Sequence, residues 1–349
     1  MKPNLFDIGT RELIQDAFIC WLINWANPEN RQHDEALHNC AIDFVRRLIQ
    51  TNNYEVPSKL LSVSACRQYS HIDVLAKVST AEKDFLLVIE DKVNAFEGDG
   101  QLNAYRQTGE SLCAENGSHL VCCYIKTGNE SKRTIGNVSK AGFYPFLLED
   151  FLTLFDRHSM VKNDIFNDFA DRLRGFNQSN KLFETVPFKD WDDECWVGFF
   201  VMLENKMNIL HWHYVNRING NGFWNASLNW DTWEGFPVYL QIEQGPLCFK
   251  IATHPEEIEY EEEFYAPDIR DEWHTIVMEK AKEQGRDEIK KPKRLGSGKF
   301  MTVASVAPEY WFGDTNGLIN TQDVIVRLKG YLSFLKECNP DTTGTPNVI

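Results

Sequence analysis

The sequence predicts two domains: an α/β layered domain with a mixed sheet, then an α+β domain built on an antiparallel meander. Three observations predict this. Phe85-Leu86-Leu87-Val88-Ile89 is apolar at every position, as in a central strand covered on both faces, and it lies among segments of helical period. From His211 to Thr253, aromatic and aliphatic residues alternate with polar ones and are broken by turn signals. A chain of 349 residues is long for one domain, and Asn177 to Lys181 is a polar joint between the two patterns.

The elements follow in order. Residues 10 to 26 read as an amphipathic helix, with Thr10 as N-cap, Leu13, Phe18, Trp21, Leu22 and Trp25 as its apolar positions, and Asn27-Pro28 as its end. A second helix is expected from Asp34 to Gln50, with Leu37, Ala41, Phe44, Val45 and Leu48 on one face. Leu60 to Tyr69 and Ile72 to Val78 read as strands, followed by the strand ending in Glu90-Asp91-Lys92. Gln101 to Cys113 reads as a helix, His119 to Lys126 as a strand and Lys126 to Lys140 as a polar loop. Helices are expected at Leu147 to His158 and Lys162 to Phe176.

In the second half, Trp191 to Met207 reads as a helix. Strands are expected at His211 to Ile218 and Phe223 to Trp230, around the turn signal Asn219-Gly220-Asn221-Gly222. Phe236 to Glu243 and Leu247 to Thr253 follow, turned by Gln244-Gly245-Pro246. Helices near 268–284 and 321–337 and a strand from Thr302 to Val306 complete this part. The expected divisions are 1–180, 185–338 and a disordered tail over 339–349.

Composition narrows the function classes. The net charge is −15, and residues 1–150 carry 15 basic against 20 acidic residues. Neither part has the footprint of a protein that coats nucleic acid. The start lacks the apolar core of a signal peptide and no apolar run approaches membrane-spanning length, so a cytoplasmic protein without a membrane partner is expected. Nine scattered cysteines without a CxxC pair read as reduced core thiols.

The chemistry concentrates around Asp73 and Glu90-Asp91-Lys92. Glu90 and Lys92 are two apart on one strand and so share a face, and Asp73 lies on the preceding strand within hairpin reach. Two carboxylates about 4 Å apart repel by roughly 4 kcal/mol at an effective dielectric near 20, a cost seldom kept in a core without a counter-charge. A divalent cation supplies one, and oxygen ligands favour Mg²⁺ or Mn²⁺. The competing reading of the triplet alone is a strand emerging into a charged, solvated turn. Glu12 in the first turn of the leading helix, and Gln101 and Tyr105 at i, i+4 after Gly98-Asp99-Gly100, weigh against it. Glu97 and Asp99 read as residues of a polar loop, with approach to the site as the alternative.

This set resembles the PD-(D/E)XK nuclease superfamily, over roughly residues 5 to 155. Asp73 with Glu90-x-Lys92 is similar to its D…(D/E)-x-K pattern, with Ile72 where many members have Pro. Gln101-Leu-Asn-Ala-Tyr105 resembles the Q-x-x-x-Y helix of RecB-like members. Arg11-Glu-Leu-Ile-Gln-Asp-Ala-Phe-Ile-Cys-Trp-Leu resembles the leading helix of an uncharacterised bacterial branch. The resemblance implies a restriction-endonuclease-like mixed sheet flanked by helices. It also implies a metal-dependent nuclease acting on DNA, in restriction of or defence against foreign DNA. Asp73 and Glu90 would be metal ligands for Mg²⁺ or Mn²⁺, Glu12 an accessory acid of the metal site and Lys92 the catalytic lysine. Gln101 and Tyr105 would orient Lys92 or touch the substrate phosphate. The alternative of another class is an inactive nuclease-fold module that binds nucleic acid or protein. A homodimer or partner protein would engage through the C-terminal domain.

Other signals carry less. Gly296-Ser-Gly298-Lys299-Phe300 lacks the first Gly and the final Ser/Thr of a phosphate loop. Lys290-Lys291-Pro292-Lys293-Arg294 is the one dense basic cluster, a solvated loop or a phosphate contact. His211 and His213 share a strand face without an evident third ligand, and Glu256 to Glu263 reads as a solvated acidic run.

Overall fold

A computed structural model describes residues 3–9, 12–93, 100–216, 222–260 and 263–339. The chain divides into two compact units, residues 1–178 and 179–349.

The first unit is a mixed α/β sandwich. A short helix α1 (Leu5–Ile8) precedes α2 (Glu12–Trp25) and α3 (Glu35–Thr51). In α3, Leu37, Cys40, Ala41, Phe44, Val45, Leu48 and Ile49 recur at three- and four-residue spacing and are fully buried. Asp34 caps the helix by accepting from the Leu37 N–H (3.0 Å). Strand β2 (Ile72–Thr80) pairs antiparallel with both of its neighbours, β1 (Leu60–Tyr69) and β3 (Asp84–Lys92). After α4 (Gln101–Asn116), β4 (His119–Lys126) lies parallel to β3. Helix α5 (Lys132–Lys140) leads to β5 (Tyr144–Leu147), parallel to β4, and α6 (Leu148–Arg157) and α7 (Asp164–Ser179) close the unit. The strand order β1-β2-β3-β4-β5 puts the continuously apolar segment at the centre.

Strand β3 separates two cores. Phe85, Leu87 and Ile89 pack with α2, α3, α6 and α7, whereas Leu86 and Val88 pack with α4 and Val138 of α5. Side chains alternate across a strand, so Asp91 falls on the first face and Glu90 and Lys92 on the second. Gly109 seats α4 on the sheet: a Cβ there would come within 2.8 Å of Val88 and 2.7 Å of Leu120. That close approach carries Tyr105 and Gln101, one and two turns earlier, toward the end of β3.

Three expectations need correction. The stretch Lys126 to Lys140 is not wholly loop: Ser131 caps α5 by accepting from the Thr134 N–H, and buried Val138 with half-buried Ile135 docks so short a helix. Leu13 lies off the buried face of α2 and is exposed. The buried stripe runs through Phe18, Ile19, Leu22 and Ile23 and continues toward the N-terminus as Gln15 and Asp16. Asn339 is packed rather than part of a loose tail, its amide donating to the Thr232 carbonyl (2.7 Å). Thr10, Arg11, Glu97, Asp99, most of the turn at 219–222 and residues 340–349 lie outside the described residues.

The second unit starts with α8 (Asp193–Met207). An antiparallel sheet follows, formed by β6 (His211–Val215), β7 (Phe223–Ser227), β8 (Asp231–Trp233), β9 (Phe236–Glu243) and β10 (Leu247–Ala252). Helix α9 (Ala266–Glu283) leads to β11 (Ile289–Lys290) and β12 (Phe300–Val306), then to α10 (Pro308–Trp311) and α11 (Thr321–Cys338). The order is β11-β12-β10-β9-β7-β6, with β8 paired to β9. One face of the sheet supplies Trp212, Leu240, Ile242, Phe249, Ile251 and Val303 to a core closed by α8, α9 and α11. All nine cysteines are free thiols, seven of them buried. No helix among the described residues is long and apolar enough to cross a membrane.

Candidate active site

The Val74–Ile89 pair closes the regular β2–β3 ladder, and one step further Asp73 faces Glu90 across the two strands. Asp73 Oδ2 accepts the backbone N–H of Asp91 (3.0 Å), which fixes it against β3. Glu90 is fully buried, and the Lys92 ammonium lies 2.5 Å from its Oε1. The Glu-Lys pair is therefore not a solvated edge. The other oxygen of Glu90, Oε2, has no hydrogen-bond donor.

The electrostatics follow from this crowding. Burial, and then the charge of Asp73, push the Glu90 carboxyl up to about 8. Burial by itself would lower Lys92, but contact with Glu90 and the charges of Glu90 and Asp73 outweigh it, so its pKa rises and the amine stays protonated. Tyr105 is pushed up by burial, and its hydroxyl accepts a hydrogen bond from Gln101 Nε2 (2.8 Å). The i, i+4 pair is thus one unit, and Tyr105 lies close enough to feel the charges of Glu90, Asp73 and Lys92.

No family model, curated protein or solved structure matches this chain. The site must speak through its own chemistry.

Glu12 reaches the same strand end by another contact, its Oε1 accepting the Val93 N–H (3.1 Å). Among the described residues no three Asp, Glu, His or Cys side chains converge on a point where a cation would be held by protein alone. The carboxyl set that fits a cation is the facing pair Asp73 and Glu90, with Oε2 of Glu90 lacking a donor. Mg²⁺ is commonly held by one or two carboxylates and keeps several waters, so this pair meets its minimum.

Sequence reasoning missed a second network on the opposite face of β3. Gln15 donates from Nε2 to Asp91 Oδ1 (2.6 Å) and accepts from the Thr127 hydroxyl (2.6 Å), linking α2, β3 and the end of β4. Asp16 lies beside Asp91. Burial and the charge of Asp73 push Asp16 up to about 6, and burial drives Asp91 well above the ordinary carboxylate range. Two polar residues continuing the apolar stripe of α2 were the available signal. Gln68, in the left-handed region (φ +56°), brings its amide to 3.4 Å from Asp73 Oδ1 and 3.5 Å from Asp16 Oδ2. Lys126 stands opposite Lys92 in the parallel β3–β4 register and pairs with Glu130 (3.3 Å), both fully buried. Burial lowers its pKa against the pull of Glu130.

His211 and His213 stack on one another (centroids 4.8 Å apart) and join no metal-binding group among the described residues.

Proposed function

We propose that the chain is a metal-dependent nuclease of the PD-(D/E)XK type that hydrolyses phosphodiester bonds in DNA, with a restriction-endonuclease-like first unit. The observation that carries this reading is the meeting of Asp73, Glu90 and Lys92 on one face at the end of the central strand, under the Gln101–Tyr105 turn of α4. A buried structural ion pair would need one carboxylate, not two facing each other with Glu90 raised to about 8.

Asp73 and Glu90 would hold Mg²⁺ or Mn²⁺. When bound, the cation would neutralise the facing carboxylates and stabilise charge developing on a phosphate. Asp73 is aimed by the Asp91 N–H and therefore by the sheet itself. Lys92, kept protonated by Glu90, holds a donor proton at Nζ for an attacking water or a phosphate oxygen. Tyr105 and Gln101, joined to one another and near enough for Tyr105 to feel these charges, would supply hydroxyl and amide donors to orient the phosphate or Lys92.

The test is cleavage of plasmid and single-stranded DNA with Mg²⁺ or Mn²⁺, wild type beside Glu90→Ala and Lys92→Ala. Each substitution is expected to reduce cleavage by about a hundredfold or more. Activity surviving both would sink the assignment. DNA binding without cleavage and without Mn²⁺ binding by calorimetry would identify an inactive binding module instead.

A further inference from the structure

The segment 290–300, Lys-Lys-Pro-Lys-Arg-Leu-Gly-Ser-Gly-Lys-Phe, carries five cations and no carboxylate in a chain of net charge −15. It joins β11 to β12. Its glycine-containing part is tied down by its backbone: Arg270 Nη1 donates to the Gly296 carbonyl (2.7 Å), and the Thr253 N–H to the Lys299 carbonyl (2.7 Å). Arg270 is itself largely buried and fixed by Asp271 (2.8 Å). The loop backbone is held while its side chains face solvent. Lys290, Lys291, Lys293, Arg294 and Lys299 are all exposed. None of them pairs with a described carboxylate; Lys299 Nζ contacts His254 Nε2 (3.0 Å).

An aromatic platform adjoins the cations. Phe300 is 46% exposed, and its ring stacks on His254 (centroids 5.8 Å apart, planes at 22°). A large apolar ring left in water beside a cationic loop is the pairing that single-stranded nucleic acid uses, with phosphates on the cations and a base on the ring. The acidic residues Glu256 and Glu257 follow His254 in the chain, both backbone N–H groups donating back to that residue. Glu259 is anchored to the Gly235 carbonyl (2.9 Å) at the start of β9, the neighbour of β10 away from β12.

We propose that loop 290–299 together with Phe300 is a binding site for single-stranded DNA. The five cations track the backbone and Phe300 stacks a base. This rests on the nuclease reading for the choice of polyanion, and it supplies the local basic surface that a net-acidic nuclease needs.

The test uses the full chain carrying Glu90→Gln, to prevent cleavage. Fluorescence anisotropy follows its binding to a labelled oligothymidylate of about 20 nucleotides, and to a duplex of similar length, over a range of salt. The triple variant Lys291→Ala/Lys293→Ala/Arg294→Ala is expected to weaken single-strand binding at least tenfold at low salt. It should also flatten the slope of log affinity against log salt by roughly 2, at about 0.7 per lost phosphate contact. Phe300→Ala is expected to weaken single-strand binding about fivefold or more and leave the duplex unchanged. Unchanged thermal melting of the variants keeps the comparison valid, since all four side chains are exposed. Wild-type affinity and slope in the triple variant, or no single-strand binding by the Glu90→Gln chain, would overturn the proposal. Equal losses on strand and duplex for Phe300→Ala would overturn the stacking role. The outcomes separate the two readings. Loop-dependent binding together with a wild-type chain that cleaves no DNA with Mg²⁺ or Mn²⁺ overturns the nuclease alone, and Glu90-dependent cleavage with loop-independent binding overturns the loop alone.

Discussion

Replacing Glu90 by Gln should make the metal-free protein more stable, by an amount that depends on pH. The folded chain keeps the Glu90 proton up to about pH 8, whereas an unfolded glutamic acid releases it near 4.5. Between those values the folded state binds more protons than the unfolded state, so stability falls as pH rises. Gln copies the protonated form and removes the penalty. At 1.36 kcal/mol per pH unit, the gain of Glu90→Gln over wild type works out below about 1 kcal/mol at pH 5, about 4 kcal/mol at pH 7.5 and about 5 kcal/mol above pH 8. Urea denaturation in EDTA at pH 5 and 7.5 measures it. A variant no more stable than wild type at pH 7.5, or a gap that does not change with pH, would refute the reasoning that burial and Asp73 crowd this carboxyl. Mg²⁺ should narrow the gap, because it favours the ionised form that only wild type has.

Two further predictions address the surroundings of the site. Asp91→Asn keeps the acceptor for Gln15 and gives Asp16 a donor, so it should stabilise the protein by about 1–3 kcal/mol at pH 7.5, fade below pH 4 and leave cleavage intact. Thermal melts at both pH values with a cleavage assay check it, and lost cleavage with intact folding would give Asp91 a role in the reaction. Asn24 both donates to the Ala65 carbonyl (3.1 Å) and accepts its N–H (3.0 Å), plugging the open edge of β1. Asn24→Ala should cost about 1–3 kcal/mol and raise light scattering on mild heating.

Most elements were legible because their signals are local. The every-position apolar run became the central strand, since only a strand covered on both faces needs apolar residues on both. Leu37 to Leu48 held its helical face, and the alternation from 211 to 253 became antiparallel strands with one buried face. The α5 helix was hidden because Ile135 and Val138 are its only apolar residues, a single i, i+3 pair among polar neighbours. The buried face of α2 was displaced in the reading because Trp21 and Trp25 outweighed Gln15 and Asp16, which sit on the core stripe despite being polar.

The sequence alone determined which residues share the decisive face: a period of two puts Glu90 and Lys92 together, and helical spacing joins Gln101 to Tyr105. Tertiary structure decided everything that depends on distance through space. The antiparallel register set Asp73 opposite Glu90 and raised its carboxyl, Gly109 let α4 come down onto the sheet, and Glu12 was drawn to the Val93 N–H. The same packing buried Asp91 with Gln15 and Asp16 on the reverse of the strand. Local periodicity fixes the direction of a side chain, but its neighbours and their dielectric are set by strands and helices far away in the chain, which no local pattern encodes.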